Sequence, residues 1–132
     1  MRDASPTGET PLREVCRVLH ERYGLDADAA YEEELRALRE FSFGNPYFQR
    51  LLARGELKDK RFVAVSDTCL PSEFVVQLLA GCGFSAERVY VSCECGGSKS
   101  NGKLWRKVRA EQGGSVVHVG CDYDADVRKC RA

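Results

Sequence analysis

The chain has 132 residues, 43% of them hydrophobic, which suits one domain with a packed core, so disorder is not the default. Lys plus Arg and Asp plus Glu both number 20, so the formal net charge is zero and bulk attraction to nucleic acid or an anionic membrane is not expected. No apolar run reaches bilayer-spanning length, and the start, Met-Arg-Asp-Ala-Ser-Pro, has no signal-peptide apolar region; the expected location is cytoplasmic.

Residues 1–10 read as a loose lead-in. Pro11 to Tyr23 places Leu12, Val15, Cys16 and Leu19 at helical spacing, with Thr10 as N-cap and Gly24 as the stop. Ala27 to Phe41 repeats the pattern with Tyr31, Leu35, Leu38 and Phe41 on one face. Pro46 opens a third, short helix to Arg54. Glu32, Glu33 and Glu34 form a charge run that reads as a solvated helix face.

From Lys60 the pattern changes to alternating strands and helices. Phe62–Val65 is apolar on both faces, the signature of a buried parallel strand. A helix over Ser72–Gly81 follows, then a strand over Arg88–Ser92 and a glycine- and serine-rich loop over Gly96–Gly102. Lys103–Gln112 reads as a helix with Leu104, Trp105 and Val108 inward. Ser115–Val119 reads as a third strand, Gly120–Asp126 as a polar turn, and Ala125–Cys130 as the start of a final helix. Strand–helix repeats of this length imply a parallel sheet with right-handed crossovers.

Parallel strands bring their carboxyl ends to one sheet edge, where open α/β sheets bind ligands. That edge would gather Ser66 and Asp67, then Lys99, then Asp122, Asp124 and Asp126. A hydroxyl, an amine and carboxylates are the inventory for a phosphate beside Mg²⁺. The seven cysteines are odd in number, and Cys93-Glu-Cys95 lacks the spacing of a zinc knuckle, so most are expected as small buried hydrophobes. A thiol-based role for Cys69, Cys93, Cys95 and Cys121 near that edge is a weaker alternative.

Three motifs in order make the resemblance specific. They are Ser66-Asp67-Thr68-Cys69-Leu70-Pro71, the run Ser98 to Trp105 containing Lys99, and His118-Val119-Gly120-Cys121-Asp122-Tyr123-Asp124-Ala125-Asp126-Val127. Together they resemble the haloacid dehalogenase (HAD) superfamily over about residues 60–130, and within it a subgroup found alone or fused to bacterial glycosyltransferases. The resemblance implies an α/β, three-layer Rossmann-like core over residues 59–132, and a helical cap-like segment over 1–58 that selects the substrate. It implies Mg²⁺-dependent hydrolysis of a phosphorylated small molecule. Ser66 and Lys99 would be catalytic, Ser66, Asp67 and Lys99 would bind phosphate, and Asp122 and Asp126 would hold the metal.

Two departures from the family pattern set the expected activity. The family's nucleophilic Asp-x-Asp strand has no counterpart before residue 60, and without it covalent catalysis has no starting group. Cys121 stands where the first metal-binding acid belongs, and a thiol is a poor Mg²⁺ ligand. The expectation is a HAD-like scaffold, either a fragment of a longer frame or one completed by sheet rearrangement or a partner, weakly active or inactive by itself. The alternative is a non-catalytic module supporting a glycosyltransferase domain or a protein partner, or serving as a homo-oligomerisation element.

Overall fold

A computed structural model describes residues 9–57 and 59–131 of the chain. The expected lead-in lies outside the described residues as far as residue 8. The described fold is mixed helix and strand, and its sheet is a parallel pair of strands, β1 (Val63–Ser66) and β2 (Arg88–Val91). The chain divides into two compact units. One comprises Leu12–Ala64 and Ser72–Val89, the other Val65–Pro71 and the chain from Tyr90 onward. Among the described residues no helix is long and apolar enough to cross a membrane.

The first unit is helical. Helix α1 (Leu12–Tyr23) buries Leu12 and Cys16, and packs on α2 (Ala27–Phe41), which buries Tyr31 and Leu35. The Arg13 guanidinium lies 3.9 Å from the centre of the Tyr31 ring, adding a cation–π contact to this apolar seam. Asp26 starts α2 by accepting the Ala29 N–H at 2.9 Å, and Asn45 does the same for Tyr47 at the head of α3 (Pro46–Leu52). Helix α4 (Ser72–Gly81) buries Phe74, over which Arg39 lies at 4.8 Å.

The second unit holds the larger core. Helix α6 (Lys103–Gln112) turns Leu104, Trp105 and Val108 inward, where they meet burial with Tyr90, Val91 and Ala125. The Tyr90 hydroxyl donates to Glu111 at 3.0 Å and accepts from Gln112 at 2.7 Å, so the buried phenol is satisfied. A one-turn helix α5 (Ser92–Cys95), not foreseen in the sequence, begins where the second strand was expected to end. The chain closes with a π-helical turn over Tyr123–Arg128 and α7 (Lys129–Arg131).

Two expectations are corrected. Ser115–Val119 is not a strand, and its backbone makes no backbone–backbone hydrogen bond among the described residues. Gly113 and Gly114 enter it at φ of +63° and +67°, and Val117 and Val119 are 93% and 59% exposed. The residue turned inward is His118, so the alternation is the reverse of a core strand's. Valine-rich composition favours a strand, but pairing decides whether one forms. Likewise β1 is half-buried along its whole length rather than fully buried, because its one sheet neighbour among the described residues is β2. A buried strand needs cover on both faces and pairing on both edges.

Candidate functional site

The site grows from the carboxyl end of β1, within the second unit. Immediately after Ser66, the Asp67 carboxylate accepts the backbone N–H of Lys99 at 2.7 Å. Thr68 is tied to the first turn of α5: its N–H donates to the Ser92 hydroxyl at 2.9 Å, and that hydroxyl donates back to the Thr68 carbonyl at 3.3 Å. The polar turn is thereby fixed by the Lys99 amide and the Ser92 hydroxyl.

The Lys99 loop is shaped by small polar side chains. Buried Ser98 donates its N–H to the Asn101 side-chain oxygen at 3.1 Å, and its hydroxyl meets that of Ser100 at 2.9 Å. Asn101 also accepts the Lys103 N–H at 2.9 Å, which carries the loop into α6. Such side-chain-to-backbone bonds replace a ladder where none is possible. Lys99 is then aimed inward, with its side chain 15% exposed.

Its ammonium donates to Asp126 Oδ1 at 2.6 Å. Asp126 is almost wholly buried and accepts three further-reaching contacts in all: Lys99, His118 Nε2 at 3.1 Å on the same oxygen, and the Asp122 N–H at 3.0 Å on Oδ2. Burial pushes the Asp126 carboxyl up. The hydrogen bonds from Lys99, the Asp122 amide and His118, with the charge of Lys99, outweigh it and bring its pKa from the usual 3.8 to about 2. At neutral pH this carboxylate can only accept, so Nε2 of His118 carries the proton. His118 is in turn held edge-on against Trp105, ring centres 4.6 Å apart, while the Trp105 indole N–H donates to the Ala125 carbonyl at 2.7 Å.

Gly120 completes the cradle. A Cβ there would lie 2.3 Å from Asp126 Cγ and Oδ2, so only glycine lets the chain pass so close to the carboxylate.

Of the residues expected at the site, Asp67, Lys99 and Asp126 are brought together. Ser66 sits half-buried at the strand end beside Asp67. Asp122 is exposed, and its carboxylate caps the π-helical turn by accepting the Ala125 N–H at 2.8 Å. Cys121 is a free, exposed thiol.

This arrangement does not fit a resident Mg²⁺. Asp126 already faces an ammonium and an imidazole N–H, Asp122 points its oxygen at a backbone amide, and no group of three or more His, Cys, Asp or Glu side chains among the described residues is placed to hold a metal. Of the expected metal pair, Asp126 has both oxygens bonded to protein donors and Asp122 spends one as a helix cap. His118 and Trp105 are the members that the sequence did not place at the site, Trp105 being expected only as an inward core residue. Their signal was present, since His118 lies eight residues before Asp126 in the motif and Trp105 is the only tryptophan.

Comparison with protein-family models, curated proteins and solved structures gives no match for this chain. The reading of function therefore rests on the geometry and on the resemblance carried by the three motifs.

Proposed function

We propose that this chain is a HAD-like α/β scaffold, of three-layer Rossmann-like descent, that binds a phosphorylated small molecule at the carboxyl end of β1 with weak or no hydrolysis of its own. The observation that carries the reading is the convergence of Asp67, Lys99 and Asp126. These residues come from three separated motifs and are joined by hydrogen bonds of 2.7 and 2.6 Å. In this reading the Ser66 hydroxyl donates to a phosphoryl oxygen and Lys99 supplies the point charge that neutralises it. Asp67 acts through the loop, by holding the Lys99 amide. Asp126 has both oxygens on protein donors and Asp67 spends one on the Lys99 amide, which accords with low turnover.

The test is turnover of p-nitrophenyl phosphate by the purified chain, with Mg²⁺ and with chelator, beside Lys99→Ala and Ser66→Ala. The reading expects slow release or none, together with saturable phosphate-ester binding that both substitutions weaken. Binding that is absent, or indifferent to both substitutions, would refute it.

One observation favours a second reading, a non-catalytic module serving a glycosyltransferase domain or a protein partner. Both oxygens of Asp126 are occupied by protein donors, the state of a structural pin. In that case Lys99→Ala lowers stability and leaves no binding activity to lose.

A further inference from the structure

A pocket of about 150 Å³ opens in the second unit, lined by Asn101, Gly102, Trp105, Arg106, Arg109 and Lys129. Three of these six residues are cations, and none is a carboxylate. In a chain whose charges balance at 20 and 20, that local excess is not a reflection of composition. The Arg109 guanidinium is oriented by donating to the Cys130 carbonyl, a neutral acceptor, and among the described residues it has no ion pair. Asp124, the carboxylate that senses Lys129, is already ion-paired with Arg128 one turn away.

The shape supports the same conclusion. Gly102 has a φ of +75° and no side chain, and a Cβ placed on it would lie 3.5 Å from Arg106 Nη1. The wall beneath the Arg106 guanidinium is thus bare backbone. Trp105, 2% exposed and fixed by its bond to Ala125, gives a rigid apolar floor. The volume is roughly that of five waters, well below the ~300 Å³ at which pockets begin to take drug-sized ligands. It suits a single compact anionic group.

We infer that this pocket is a second anion site, which takes a phosphate group through Arg106, Arg109 and Lys129, independently of Lys99. Two guanidiniums and an ammonium match the charge of a phosphate dianion better than that of a carboxylate, and arginine forks suit its tetrahedral oxygens. The source of the group is either free inorganic phosphate or a phosphate monoester, since the contacts are made to the oxygens alone.

The experiment titrates inorganic phosphate, and separately methyl phosphate, into the full chain. Trp105 emission reports on the pocket floor, with calorimetry as an independent readout. Saturable binding is expected, weakened about tenfold by Arg106→Gln or by Lys129→Gln for the loss of one charged contact, and the binding that remains in Lys99→Ala, after any loss at the β1 site, keeps that sensitivity to both substitutions. Methyl phosphate binding at least as tightly assigns a monoester, and its exclusion assigns inorganic phosphate. Absence of saturable phosphate binding in the wild type would overturn the inference. So would binding that survives both pocket substitutions and is lost in Lys99→Ala, an outcome that would instead support the site at β1.

Discussion

Replacing Asp126 by Asn tests whether the buried cluster is held by charge. The carboxylate is 3% exposed and takes hydrogen bonds from Lys99, His118 and the Asp122 amide. Its pKa falls from 3.8 to about 2, so the folded state favours the ionised form. At about 1.4 kcal/mol per pKa unit this preference amounts to roughly 2.5 kcal/mol. Breaking a fully buried pair costs about 3–5 kcal/mol, but Lys99 retains 15% exposure and can turn toward water, so the lower figure is the better guide. Because the folded pKa is depressed, the contribution is complete above 3.8 and is lost as pH falls through about 2. Urea unfolding of the wild type and Asp126→Asn near neutral pH should therefore differ by about 2.5 kcal/mol, with the gap closing in acid. A gap below ~0.5 kcal/mol at neutral pH, or one that persists undiminished in acid, would refute the electrostatic account.

Gly120→Ala should destabilise the chain by about 1–3 kcal/mol, because the new methyl collides with the Asp126 carboxylate; an unchanged urea midpoint would show that the segment yields without cost. Burial, with the nearby charge of Glu94 and the Cys69 thiol, pushes the Cys93 thiol up to about 11, whereas Cys121 is exposed. Iodoacetamide near neutral pH should accordingly label Cys121 well before Cys93 by peptide mass mapping, since the thiolate is the reacting form. Equal labelling rates would count against the burial of Cys93.

The helices were legible because their signals are local. Apolar spacing placed Ala27–Phe41 and Lys103–Gln112 at their observed bounds, with Pro46 marking the start of the short third helix. Strands depend on partners that no local pattern supplies. Phe62–Val65 shifted by one residue to Val63–Ser66, and Ser115–Val119 formed no strand at all. Motif order was enough to group Asp67, Lys99 and Asp126. It did not reveal that Lys99 would aim at Asp126 rather than outward, nor that His118 would share the same oxygen. Those facts depend on Gly120 letting the backbone approach and on Trp105 backing the imidazole, both of which are tertiary.

The segment from Ser115 to Val119 has a consequence outside the site. Its sequence, Ser-Val-Val-His-Val, is uncharged and β-branched, with outward valines and a backbone that no ladder occupies among the described residues. Such a stretch is a template for another extended chain, and proteins ordinarily guard it with lysine, proline or a covering element. Here the His118 imidazole, fastened between Asp126 and Trp105, ties the segment to the core. A change that loosens Asp126 would therefore free this segment as well as loosen the cluster.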